Sequence, residues 1–250
     1  MTALELNCGT GEDAVWLARQ GWQVLATDVS PEMVAAARQK AINAGVEDLV
    51  RAEVCAMENI GRINPTPDPS PNGRGDATSN VAFGAMSPLP LGEGSGVGLI
   101  LSDFGGLNCM PSESLKKLSL DLQGLISKNG CFIAVVMSRF CWWEIFYFLL
   151  KGQPRNAFRR FGKKPLTAPL DANTAVQTWY YSPAEFRRHF PGWQATGIRP
   201  VGFWLPPSYL NPFFEKHPRF LRALNYLETH FTPAWLSPMA DHFFICLKIV

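Results

Sequence analysis

The periods of apolar and polar positions change along the chain in a regular order. Between Leu4 and Asp28, the run LELNCGTGEDAVWLARQGWQVLATD opens on a short strand pattern at Leu4 and Leu6 and turns at Gly9 and Gly11. Ala14, Val15, Leu17 and Ala18 then recur at helical spacing, and Gly21 is placed to close that helix as its C′ residue. Val24-Leu25-Ala26 predict a buried strand that carries Asp28 to its C-terminal end. Ser30 and Pro31 are favoured N-cap and N1 residues for a second helix, with Met33, Val34, Ala37 and Ala41 on its core face and Gly45 at its end. Leu49 to Val54 predict a third strand, with Cys55, Ala56 and Met57 at its C-terminal end. The order β-α-β-α-β predicts an α/β fold with a right-handed, mostly parallel sheet and helices on both faces.

Residues 62 to 96 break this pattern. They alternate proline with small or polar residues and show no sustained period, which predicts a disordered surface insertion in an otherwise single 1–250 domain. Within it, Gly73-Arg74-Gly75-Asp76 resembles an adhesion motif, but an insertion in a cytoplasmic protein offers that motif no receptor. Val97 to Ser102 resume as a fourth strand, and Leu115, Leu118, Leu122, Leu125 and Ile126 mark one helical face. A turn is expected at Asn129-Gly130, leading into an all-apolar, fully buried fifth strand from Cys131 to Met137. Ser182-Pro183-Ala184-Glu185 spells a capping box with proline at N1. Trp193 to Leu205 supply a sixth strand, Arg219 to Phe231 a helix, and Phe243 to Val250 a seventh strand. The two late strands are expected to pair antiparallel at one edge. Segments 138–181 and 206–240 fall outside this alternation and are expected to be substrate-side additions.

Composition changes the picture little. The 250 residues carry 47% hydrophobic and 18% charged side chains, enough for a sizeable core, and a net charge of +2 is too small to predict a nucleic-acid partner. The six cysteines show neither C-x-x-C pairs nor metal spacing and read as reduced thiols of a soluble, cytoplasmic protein. The run FCWWEIFYFLL, residues 140–150, is too short to span a bilayer and predicts a helix covering the sheet edge; a hydrophobic wall or an interfacial patch are the other readings. Lys151, Arg155, Arg159, Arg160, Lys163 and Lys164 follow it as a solvated face, with an acidic substrate or weak association with an anionic membrane surface as alternatives.

Candidate chemistry gathers at the first βαβ unit. A glycine turn lets backbone approach a ligand, a carboxylate at the end of the second strand accepts from ribose hydroxyls, and open α/β sheets bind ligands at that edge. Asp28 lies 17 residues after Gly11, close to the ~20 expected for an adenosine-containing ligand. ELNCGTGED resembles the E-x-G-x-G-x-G loop of the class I S-adenosylmethionine-dependent methyltransferases, and TDVSPEMV resembles their second motif. LSDFGGLN falls where their fourth motif falls, and YYSPAEF with the two final strands resembles their C-terminal part.

The resemblance covers nearly the whole chain except 62–96. It implies a Rossmann-like seven-stranded, mostly parallel sheet with an antiparallel terminal strand, and S-adenosyl-L-methionine as cofactor. By it, Glu5, Asn7, Gly9 and Gly11 line the methionine and ribose region, and Asp28 takes the ribose hydroxyls. Met33 faces the adenine, Cys55, Ala56 and Met57 sit by its amine, and Asp103 is a further contact. Three departures stand out. Asn7 replaces the first glycine and must adopt positive φ; Cys55 replaces a common acid; and the chain begins at its first strand, so the family's N-terminal helices are expected to be missing by truncation.

The expected activity is methyl transfer to a small acceptor, driven mainly by positioning and desolvation. No general base stands out: His189 on the capped helix reads first as a surface histidine, and Tyr180, Tyr181 and Asp103 are possible contacts that read first as structural. Asp103 is followed by Phe-Gly-Gly, unlike the Pro-Pro-aromatic of enzymes that methylate exocyclic amines of nucleic acids. Trp142, Trp143, Phe146, Trp204 and Tyr209 favour a hydrophobic or aromatic acceptor. Two other readings are a non-catalytic methyltransferase-like remnant and a nicotinamide- or flavin-dependent oxidoreductase, the latter because Gly9-x-Gly11-x-x-Ala14 also fits the dinucleotide fingerprint.

Overall fold

The computed structural model describes residues 1–63, 96–103, 105–169 and 175–250. The body of the predicted insertion, with its Gly73-Arg74-Gly75-Asp76 tetrapeptide, lies outside the described residues. The chain forms β1 (Thr2–Glu5), α1 (Glu12–Arg19), β2 (Gln23–Asp28), α2 (Pro31–Asn43), β3 (Val50–Val54), β4 (Val97–Ser102), α3 (Ser112–Leu125) and β5 (Ile126–Met137). There follow α4 (Trp142–Leu150), α5 (Pro154–Ala157), β6 (Leu166–Pro169), β7 (Ala175–Thr178) and α6 (Pro183–Arg188). The chain ends with β8 (Trp193–Val201), α7 (Asn211–Glu215), α8 (Pro218–His230) and β9 (His242–Ile249).

Seven strands pair in the order β3-β2-β1-β4-β5-β9-β8. The first five are parallel, and β9 inserts antiparallel to both β5 and β8. Strand order therefore reverses between β1 and β4, which opens a crevice at their C-terminal ends. Two apolar layers sandwich the sheet. On one face Leu115, Leu118 and Leu122 of α3 and Phe186 of α6 pack with Phe132 and Phe243. On the other, Ala14 and Ala18 of α1 and Val34 and Ala37 of α2 pack with Ala26 and Ala52. A Cβ on Gly11 would stand 2.8 Å from the Ala37 Cβ, so only glycine lets the start of α1 meet α2 this closely.

Several local expectations hold. Ser30 caps α2 through its hydroxyl, Ser182 and Glu185 form the reciprocal capping box of α6, and Gly21 and Gly45 take φ of 84° and 66° behind their helices. Others are corrected. Asn129-Gly130 is not a turn between helix and strand: α3 ends at Leu125, and β5 runs continuously from Ile126 through both residues. A register shift against β4 between Val97 and Leu99 absorbs the irregularity. The fifth strand is not buried on both faces; Phe132, Ala134 and Val136 are buried, while the alternate residues are half-covered because α1 and α2 lie over β1–β3. The sixth sheet strand, β8, stops at Val201 rather than Leu205, and Glu228 of α8 accepts from the Gly202 and Trp204 amides just beyond it at 2.8 Å each. The β6–β7 hairpin forms a separate two-stranded sheet that periodicity did not reveal.

Beyond β5, the chain is pinned by a buried ionic cluster. Glu144 of α4 is bound by Arg159 and by Arg160, and Arg160 reaches Asp241 at 2.9 Å, just before β9. Burial opposes the ionised Asp241, but His242 and Arg160 outweigh it and hold its carboxyl well below the usual carboxylate range. The Arg160 guanidinium also lies over the Tyr180 ring, 4.8 Å from its centre.

Candidate active site at the sheet's C-terminal edge

The turn from β1 into α1 is left-handed at three of its residues. Asn7, Gly9 and Gly11 have φ of 50°, 52° and 76°. This backbone aims the Gly9 amide at Oδ2 of Asp28, 2.9 Å away, and the Ser30 amide donates to Oδ1 at the same distance. The Asp28 carboxylate is thus fixed between the β1 and β2 loops, and each oxygen keeps acceptor capacity for a second donor. The Cys55 amide donates to the Asp28 carbonyl at 2.8 Å, which joins the end of β3 to the same edge.

Asn7 meets its backbone requirement and adds contacts that a glycine would lack. Its Oδ1 accepts from the Ser102 hydroxyl at 2.8 Å, and its Nδ2 donates to the Asp103 carbonyl at 3.2 Å. The amide lies so close to Gly106 that a Cβ there would stand 2.2 Å from the Asn7 Cγ. Asn7→Ala is expected to lower stability by roughly 2–3 kcal/mol through lost hydrogen bonds and positive φ, and Asn7→Gly by about 1 kcal/mol less. Urea unfolding of the two variants reads this difference, and equal losses would count against a backbone contribution.

Carboxylates cluster around this turn. Glu5 is 2% exposed; one oxygen accepts from the Ala14 amide, and Oε2 has no partner among the described residues. Burial, then the charges of Asp13 and Asp103 and more weakly that of Asp28, push its carboxyl up to about 8. Burial, then a hydrogen bond with Asp13, lifts Asp103 to about 7. The same surroundings push the Cys8 thiol up to about 12, so it stays neutral and unreactive. A buried acid with an orphaned oxygen, facing other acids, is an environment that a cation would relieve.

The remaining residues expected at the edge fall around it. Met33 sits on the first turn of α2 with 41% exposure, and Cys55 and Met57 are half-buried against the core next to Ala56. The Cys55 thiol, raised by burial, donates to the Ala56 carbonyl and is no substitute for an acceptor carboxylate. The expected aromatics mostly pack on one another. Trp142 and Trp143 both donate to the Phe203 carbonyl, Tyr209 lies 4.5 Å from Tyr147, and Phe146 points to solvent.

A cavity of about 240 Å³ opens beyond β5, lined by Trp179, Tyr180, Tyr181, Arg139, Lys163 and Lys164. Asn108 anchors its wall: the side chain donates to the Met137 and Trp179 carbonyls and accepts from the Met137 amide. His189 also lines the cavity, its Nδ1 buried and partnerless among the described residues. Burial and Lys116 lower its pKa, which favours the neutral imidazole. Sequence reasoning singled out Tyr180, Tyr181 and His189, but missed Asp13, Asn108, Trp179 and Arg139. Asn108 is the last residue of the LSDFGGLN motif and Trp179 directly precedes YYSPAEF, so position was their available signal; Arg139 had none.

The comparisons agree with this geometry. The methyltransferase domain family matches residues 3–68. Among solved structures, the CcbJ methyltransferase of Streptomyces caelestis is 13% identical, with 100% of this chain and 89% of that one covered at a TM-score of 0.56. An S-adenosylmethionine-dependent methyltransferase of Clostridium acetobutylicum is also 13% identical, covering 99% and 83% at 0.54. The geranyl diphosphate C-methyltransferase of Streptomyces coelicolor, solved with S-adenosyl-L-homocysteine, is again 13% identical, covering 100% and 73% at 0.52. No curated protein sequence matches significantly. With a glycine turn, an acid ending β2 and an inserted antiparallel β9, the chain has the fold of these S-adenosylmethionine-dependent methyltransferases, and its residues 3–68 match the methyltransferase domain family.

Proposed function

We propose that the chain binds S-adenosyl-L-methionine in the crevice between β1 and β4 and methylates a small acceptor held in the cavity beside β5. The observation that carries the reading is the buried oxygen of Glu5, partnerless among the described residues, amid Asp13, Asp28 and Asp103 at the glycine turn. These residues fit the cofactor's chemistry. Asp28 would take the ribose hydroxyls, Gly9 and Gly11 permit close backbone approach, and Met33, Ala56 and Met57 offer apolar contact to the purine. Glu5, Asp13 and Asp103 supply negative potential for the sulfonium and ammonium groups. When bound, the cofactor supplies an activated methyl for in-line displacement, so the protein's task is to orient and desolvate the acceptor.

Trp179, Tyr180 and Tyr181 would hold the apolar or aromatic body of the acceptor, and Lys163 and Lys164 would receive an acidic group on it. The neutral His189 imidazole can accept a proton if the methylated atom must lose one. Segments 138–181 and 206–240 are assigned to the acceptor side on this reading. Six free cysteines suit a reducing compartment, and we place the protein in the cytoplasm.

The test is calorimetry with S-adenosylhomocysteine, alongside oxidised and reduced nicotinamide cofactors. Micromolar affinity for the first supports the proposal. No heat with any ligand would favour a non-catalytic remnant, and binding only of nicotinamides an oxidoreductase. Mass spectrometry of co-purifying small molecules provides an independent reading.

The raised carboxyls make a pH prediction. Glu5 and Asp103 are protonated below about pH 7 and ionised above about 8, and only the ionised forms attract a cation. Affinity for the cationic S-adenosylmethionine is therefore expected to rise by about tenfold or more between pH 6 and 9. S-adenosylhomocysteine, whose sulfur is neutral, should show a shallower rise, and identical slopes would sink the assignment. Without ligand the sign is opposite for stability. The unfolded chain ionises Glu5 near 4.5 while the folded chain keeps its proton to about 8, so stability falls as pH rises across that window, and Glu5→Gln should remove most of the fall.

A further inference from the structure

The outward side of α4 is apolar. Phe146, Leu149 and Leu150 share one helical face at i, i+3 and i+4 and are 55%, 46% and 74% exposed. The helix's one charged residue, Glu144, turns inward, where Arg159 and Arg160 bind it. A surface helix ordinarily has the reverse arrangement, with apolar residues inward and charges outward. Rings from neighbouring elements pack against other residues of the helix. The Tyr209 ring lies 4.5 Å from that of Tyr147 at a tilt of 42°, and Phe213, next to the Phe214 ring that meets Trp143, is itself exposed.

The charge around the stripe has one sign. Between Arg139 and Lys164 the sequence carries seven basic residues and one acid, Glu144. That acid is taken by Arg159 and Arg160, and Arg139 is paired with Glu185. Lys151, Arg155, Lys163 and Lys164 have no acidic partner among the described residues. Lys151 directly follows the stripe, its ammonium over the Tyr147 ring.

We propose that this face docks on an anionic lipid bilayer. Phe146, Leu149 and Leu150 enter the boundary between headgroups and acyl chains, and Lys151 and Arg155 meet headgroup phosphates within the positive field to which Lys163 and Lys164 add. A nine-residue helix is about 14 Å long, half of a hydrocarbon core, so it lies in the membrane plane. Among the described residues, no helix is long and apolar enough to cross a membrane. Charge complementarity selects lipid over a second copy of the chain. A twofold dimer through the stripe would set the same basic rim against itself, whereas anionic headgroups neutralise it. The proposal does not depend on methyl transfer.

The test is co-sedimentation of the full chain with vesicles of phosphatidylcholine alone or mixed with phosphatidylglycerol. Binding is expected to be at least about tenfold stronger to the mixed vesicles and to weaken with salt. Phe146→Ser, Leu149→Ser and Leu150→Ser together should reduce it by about tenfold or more, with melting temperature and S-adenosylhomocysteine affinity unchanged because the three side chains are exposed. Lys151→Glu with Arg155→Glu should abolish the preference for phosphatidylglycerol. Leu120→Ser, at an exposed position on α3, is the control expected to bind normally. Absence of binding to either vesicle, or undiminished binding by the triple variant, would overturn the proposal. So would a lipid-free dimer that the triple variant converts to monomer, since a second copy would then be the occupant.

Discussion

Asp28→Ala is expected to weaken binding of S-adenosylhomocysteine by roughly 2–4 kcal/mol, or about thirtyfold to several hundredfold. Two effects combine. The diol loses its charged acceptor, and the Gly9 and Ser30 amides lose the oxygens that hold their loops at 2.9 Å. Calorimetry reads the affinity, and S-adenosylhomocysteine suits the measurement because it keeps the ribose while removing the sulfonium charge. Asp28→Asn separates the two effects: its one carbonyl oxygen can satisfy one loop amide or one hydroxyl, so an intermediate loss is expected. An unchanged affinity in Asp28→Ala would mean that the ribose lies elsewhere.

Arg160→Leu is expected to destabilise the fold by about 3–5 kcal/mol, the range for removing one partner of a buried ion pair. The loss is large because two acids depend on this guanidinium. Glu144, with 3% of its side chain exposed, would retain only Arg159, and Asp241 would retain only His242. Urea denaturation measures it, and a change below about 1 kcal/mol would show that water or rearrangement replaces the arginine. Glu144→Leu added to Arg160→Leu should recover part of the loss, since no acid is then buried on α4. The cluster also has a pH sign. Asp241 is held below its ordinary value of 3.8, so its contribution is present above that pH and is lost as the solution is acidified through its lower folded value.

Much of the fold is legible locally. Gly21 and Gly45 stop their helices, Ser30-Pro31 and Ser182-Pro183 start theirs, and apolar runs mark β2 and β4, because each signal lies within a few residues of what it controls. Asn129-Gly130 misled for the same reason. As a dipeptide it favours a turn, yet both residues are extended within β5, in the stretch that the register with β4 skips between Ile126 and Cys131. The β6–β7 hairpin is short and lacks a strong alternation, so nothing local announced it.

The candidate site divides in the same way. Gly9, Gly11 and Asp28 belong to one βαβ unit and could be read together. Asn7 looked like a defect in that unit until β4 placed Ser102 and Gly106 against it. Asp13 drew no notice in sequence, yet it meets Asp103, ninety positions later, and raises its pKa.

By itself the sequence determined the βαβαβ unit and the placement of its glycine turn and acid at one sheet edge, since short-range periodicity and turn chemistry suffice for these. Only the tertiary structure decided which strands flank β9, the burial of Glu5 among other acids, the cationic cavity beside β5 and the outward apolar face of α4. Each depends on groups far apart in the chain, and burial, charge proximity and exposure exist only once those groups have been brought together.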